Sequence, residues 1–218
     1  MDISHPDYYP TYSHAERIAD AAAHVLGIVL GLGASIHVSA LAIDTSTAPI
    51  AVIIYCISIM SSFIASALYH FPPSKLWQPV FRRADHAAIF LKIAGTYTPL
   101  VALIGGGFSY FILALVWIIA IGGIVWKLFF WSTPNWRSTL LYLTLGWLSI
   151  ALAWPFVKTM PWASTLLVTI GGLTYTLGVI FYRWDNLRFS VAIWHGFVLV
   201  ASACFLGAIN IAILHQSI

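Results

Sequence analysis

Charge is scarce in this sequence: 8% of its 218 residues are Asp, Glu, Lys or Arg, against about 25% in soluble domains. That excludes a water-soluble domain of this size. Cysteine is scarcer still. Cys56 and Cys204 both fall in apolar runs without metal-ligand or redox spacing, so they read as small buried hydrophobes. The ten Lys and Arg are spread over short segments and form no basic stripe, which argues against nucleic acid as a partner. The stretch from Met1 to Asp20 is polar and carries Asp2, Asp7 and Glu16. A cleavable secretory signal starts basic, so the first helix is expected to stay in the membrane as an anchor.

Apolar residues make up 61% of the chain, and they recur in runs of about 18 or more, each long enough to cross a hydrocarbon core of about 30 Å as a helix. Backbone polar groups in lipid must be satisfied internally, so these runs imply helices. Candidate spans lie near Ala21 to Ile43, Ile50 to His70, Ala84 to Ile104, Phe108 to Phe130, Thr139 to Trp154, Ser164 to Tyr182 and Val191 to Leu214. Asp44 to Thr47, Phe71-Pro-Pro-Ser74, Gly105 to Gly107, Ser132-Thr-Pro-Asn135, Pro155, Pro161 and Asp185-Asn186 punctuate them. The expected architecture is all-α: one domain over residues 1–218, a seven-transmembrane helix bundle with short connections.

Basic residues left in short loops mark the cytoplasmic side. Arg17, Lys75, Arg82, Arg83, Lys127, Arg137, Arg183 and Arg188 fall on one side, Lys158 alone on the other, and Lys92 within a span. The expected orientation has a cytoplasmic N-terminus and an external C-terminus, in the cell (inner) membrane. Trp77, Trp126, Trp131, Trp136, Trp184 and Trp194 near the first boundary, and Trp154 and Trp162 near the second, suit an aromatic belt.

Under this topology several polar groups share one depth. His24 opens helix one, His70 closes helix two, Asp85 and His86 open helix three, and His195 lies about a turn into helix seven. Ionisable groups in spans are costly and usually face the bundle interior, so convergence at one level points to function. A single histidine at a helix end can equally satisfy a carbonyl or sit among headgroups. His5, His14, His37 and His215 are read as bystanders. Imidazole nitrogen and carboxylate oxygen are the ligand types of a catalytic zinc. Asp85 and His86 are adjacent, about 100° apart around the helix, so both cannot point straight at one site. Ser66 and His70 are four apart and share a face, where the hydroxyl can orient water or simply aid helix packing. Lys92, about 10 Å deeper than Asp85 on the same face, needs a partner, a water-filled cavity or a snorkelling path. Gly95 with Pro99 is the best candidate for a break or kink. No internal repeat suggests a transporter, and no ring of charge suggests a channel.

The segments Ser66-Ala-Leu-Tyr-His70, Asp85-His-Ala-Ala-Ile-Phe-Leu-Lys-Ile-Ala-Gly-Thr-Tyr-Thr-Pro99 and Ala192-Ile-Trp-His-Gly-Phe-Val-Leu199 resemble the bacterial hemolysin III proteins, which belong with the progestin and adiponectin receptor family. Glu16 to Gly27, Gly146 to Ser149 and Gly178 to Tyr182 fit the same pattern. The resemblance implies a seven-helix bundle with a cytoplasmic N-terminus and an intramembrane zinc near the cytoplasmic face. Carried over by position, zinc would be held by His70 and His195, with Asp85 working through water and Ser66 beside them. The first histidine of the family's H-x-x-x-H motif falls on Val191, which cannot ligate. A family-type site would then need Asp85 to coordinate directly, or His86 or His24 to move in, or the metal would be weakly held or absent.

The function expected on these grounds is action in membrane lipid homeostasis. Its enzymatic form would be zinc-assisted hydrolysis of a lipid, an amide being the candidate bond, with Asp85 as general base and membrane lipid as substrate. The alternatives are a non-enzymatic regulator of membrane state and a cytolysin. A pore-former secreted as a soluble protein needs a polar exterior, which this composition denies it.

Overall fold

The computed structural model describes residues 12–130, 136–184 and 186–217. His5, Trp131, the Ser132-Thr-Pro-Asn135 segment and Asp185 lie outside the described residues. Ser13 begins the first helix: its hydroxyl accepts from the Glu16 N–H at 3.3 Å while the Glu16 carboxylate accepts from the Ser13 N–H at 2.9 Å. This reciprocal cap satisfies two donors that a helix start otherwise leaves open. Helix α1 therefore runs His14–Asp44, seven residues before the apolar window opens at Ala21. It is followed by α2 (Pro49–His70), α3 (Gln78–Ile104), α4 (Gly107–Phe129), α5 (Trp136–Trp147), a 3-10 stretch Leu148–Leu152, α6 (Ala153–Thr159), α7 (Trp162–Tyr182) and α8 (Ser190–Gln216). Among the described residues seven segments are long and apolar enough to span a membrane, the fifth being Trp136–Thr159.

In the bundle, α1 lies between α2 and α8, α2 against α3, α3 against α4, and α7 against α8. Helix α3 is the central one, with two thirds of its apolar window buried. One cluster of buried side chains joins α1, α2, α3, α6 and α8 around Val52, Ile59 and Ile209. A second joins α3, α4 and α5 around Phe90, Val101 and Val116. Residues such as Leu30, Ile57, Ile118 and Val200 are turned outward and exposed, the arrangement of a bundle whose solvent is lipid.

Gly95 and Pro99, the candidate for a break or kink, do not interrupt the helix. Helix α3 passes through Pro99 as one element. Gly95 serves close packing instead: a Cβ there would collide with the Ser58 side chain on α2. The break lies in the fifth span, where α5 gives way to the 3-10 stretch. Carbonyls loosened at such a break must find donors inside the protein, and the Tyr97 hydroxyl reaches both Leu145 O at 3.0 Å and Gly146 O at 2.8 Å. Tyr97→Phe is expected to cost about 1–3 kcal/mol, read as a lower thermal midpoint in detergent. An unchanged midpoint would mean that other donors serve these carbonyls.

Candidate metal centre

Pro72 and Pro73 end α2 just after His70, leaving that imidazole on the last turn. Helix α8 starts after Phe189, which takes a left-handed conformation with φ 63°, and His195 comes about a turn and a half later. The Phe189 N–H donates to Glu16 Oε1 at 3.0 Å. Glu16 thus caps α1 and also fastens the start of α8 to it. Glu16, Asp20 and His24 recur at intervals of four along one face of α1, so the same contact aims Asp20 and His24 at α8.

Asp20 sits at the centre of the polar cluster. It is 7% exposed, and each carboxylate oxygen has an imidazole: Oδ1 accepts from His195 Nδ1 at 2.6 Å and Oδ2 from His70 Nδ1 at 2.8 Å. His24 Nε2 lies 3.6 Å from Oδ1. The three rings pack together, with centroids 4.4 Å apart for His24 and His195, 4.8 Å for His70 and His195, and 5.1 Å for His24 and His70. The Ser66 hydroxyl stands 3.4 Å from His195 Nε2. One ligand atom from each of Asp20, His24, His70 and His195 lies within 4.8 Å of all the others, so the group could hold a metal ion.

The donor set suits zinc, which takes imidazole nitrogen and carboxylate oxygen in four-coordinate sites. A further observation fits: His24 Nε2 is buried and has no hydrogen-bond partner among the described residues. A buried polar atom left so is unusual and calls for an ion or water.

His70 and His195 therefore meet, with His24 as third imidazole and Ser66 alongside. Asp85 stands outside the four-residue group. His86 is buried elsewhere on α3, its carbonyl accepting from the Tyr142 hydroxyl at 3.1 Å. Lys92 is buried instead of snorkelling; its ammonium faces the rings of Phe63 and Tyr175, 5.0 Å from each centroid. His37 pairs with Asn210 at 3.1 Å, away from the cluster.

Asp20 is the residue that sequence reasoning missed. The apolar window opened one residue after it, whereas the pair Ser13 and Glu16, spaced as a capping box, placed it inside the helix. Val191, one turn before His195, offers no donor, and α1 supplies two in its place.

The profile described as Haemolysin-III related matches residues 12–206. The chain belongs to that family. It is 36% identical over 191 residues to a Hemolysin-3 homolog of Bacillus subtilis, covering 86% of this chain and 90% of that one. To Hemolysin-3 of Bacillus cereus it is 38% identical, covering 86% and 87%. The human monocyte to macrophage differentiation factor is 30% identical over 204 residues, covering 90% and 83%. Within this haemolysin III-related chain, Glu16 becomes a positioning residue for the cluster. Glu16→Ala is expected to lower metal affinity about tenfold, and Glu16→Gln, which keeps an acceptor for the Phe189 N–H, by less. A zinc titration of both variants that showed no loss would remove Glu16 from that role.

Proposed function

We propose that this chain is a zinc-dependent hydrolase of the cell membrane acting on the acyl bond of a membrane lipid, an amide by preference. The observation that carries the reading is one carboxylate and three imidazoles converging at one end of a lipid-exposed bundle, with His24 Nε2 buried and without a hydrogen-bond partner among the described residues. Asp20, His24, His70 and His195 would hold the ion. Zinc so held supplies a Lewis acid for a carbonyl and lowers the pKa of water toward about 7.

The protein's own groups do the rest. Asp20 fixes the rings of His70 and His195 through their Nδ1–H groups and sets which nitrogens are free. The Ser66 hydroxyl, against His195 Nε2, orients water or the substrate carbonyl. Asp85, the aspartate that the family resemblance assigns to work through water, is given the role of general base that takes the proton of the attacking water. Water adds to the acyl carbon, the C–N bond breaks, and the amine leaves with that proton, releasing a fatty acid. The cluster lies at the helix ends that carry seven of the eight basic residues outside the apolar spans, which supports a cytoplasmic site and N-terminus.

The test combines metal analysis with turnover. Purified protein is expected to carry about one zinc per chain and, in phosphatidylcholine vesicles, to release fatty acid from N-palmitoyl sphingosine in a chelator-sensitive way. Asp85→Asn should keep the zinc and lose about 100-fold or more in rate. Zinc-free protein, or release that ignores chelation, would defeat the proposal.

A further inference from the structure

A groove of about 350 Å³ runs between α1 and α2 beside the cluster. On α1 it is lined by Ala21, His24, Val25 and Ile28, one face at spacings of three and four. On α2 the stripe Ile64, Ala67 and Leu68 repeats that spacing, and Phe71 closes the end. Ala21 and Ala67 leave the space that larger side chains would fill. Val25 is 60% exposed and Ile64 45%; on the outside of a membrane bundle, such residues face lipid, so the groove opens sideways into the bilayer.

Its chemistry is polarised along its length. The deep end, at Ile28 and Ile64, is apolar. Near the helix ends stands His24, which belongs to the metal group and whose buried Nε2 lacks a hydrogen-bond partner among the described residues. From Ala21 to Ile28 the stripe spans about 10 Å, and it runs from the bilayer boundary toward its centre, the direction of a lipid tail. The volume is near the lower limit of small-molecule sites, about 300 Å³, which suits part of one chain and not a whole lipid.

We infer that the α1/α2 groove is the docking site for one acyl chain of a bilayer lipid, entering sideways and presenting its carbonyl at His24. Cleavage of the docked lipid rests on the hydrolase reading, but the docking itself does not require turnover. The occupant is a lipid and not a protein segment, because the face is lipid-exposed and His24 is the one polar side chain in its lining.

The experiment uses the full chain in phosphatidylcholine vesicles with an N-acyl sphingosine carrying a diazirine midway along its acyl chain. After irradiation, adducts are mapped by peptide mass spectrometry. Labelling of residues 21–28 and 64–71 should exceed that of the outward face of α4, at Ile118 and Ile121, at least fivefold. Ala67→Phe should bring the two to parity with zinc content unchanged; Ile64→Trp, farther from the ligands, serves if that variant does not fold. Equal labelling of all outward faces in the unaltered protein would overturn the proposal, as would selective labelling that survives both variants. Selective labelling without chelator-sensitive release overturns the hydrolase and leaves the groove. Chelator-sensitive release with uniform labelling in the unaltered protein does the reverse.

Discussion

Asp20→Ala is expected to lower zinc affinity at least 100-fold, and Val191→His in the same chain to recover much of that loss. The carboxylate holds the rings of His70 and His195 at 2.8 and 2.6 Å and is itself one of the four donors. Removing it takes away a ligand and unlocks the orientation of two more, and orientation alone is commonly worth 10- to 100-fold. Val191 precedes His195 by four residues on α8 and so shares its face. A histidine there returns a donor from a different helix. Calorimetric zinc titration of the two variants checks the pair. If the double variant binds no better than Asp20→Ala, the α1 donors are not interchangeable with one at Val191.

The second large effect concerns Lys92. The side chain is 7% exposed inside α3, and its ammonium meets the faces of Phe63 and Tyr175. Cation–π attraction is worth up to about 2 kcal/mol when desolvated, less than the several kcal/mol that burying an ammonium costs. Desolvation wins. Lys92→Met, close in volume and apolar, should therefore raise stability by about 1–3 kcal/mol. Lys92→Glu places a carboxylate against two ring faces that repel it, and should cost about 4 kcal/mol or more. Thermal midpoints from tryptophan fluorescence in detergent measure both. A Lys92→Met protein less stable than the parent would show that the ring contacts outweigh desolvation.

Much of this was legible in the chain. Runs of apolar residues marked all seven spans, because a helix crossing lipid has no other way to satisfy its backbone. His24, His70 and His195 stood out because imidazoles at one depth on separate helices are costly unless they meet. Asp20 escaped because hydropathy locates the hydrocarbon boundary, whereas the helix begins at a cap seven residues earlier. Side-chain direction also stayed hidden. Asp85 lies about two turns into α3, yet spacing along one helix does not say which neighbour a carboxylate faces, and the carboxylate that met the imidazoles came from α1. The break in the fifth span went unread for a related reason: Pro99 is a local signal, while the 3-10 stretch is supported by Tyr97, distant in sequence from Leu145.

The contact between Asp20 and His195 joins residues 175 apart, so the carboxylate on α1 gains its second imidazole only once α8 has packed against that helix. Until α8 arrives, α1 carries an acid and an imidazole into lipid with half their partners missing. The ligand cluster thus couples the packing of α1 to that of α8, two helices at opposite ends of the described residues.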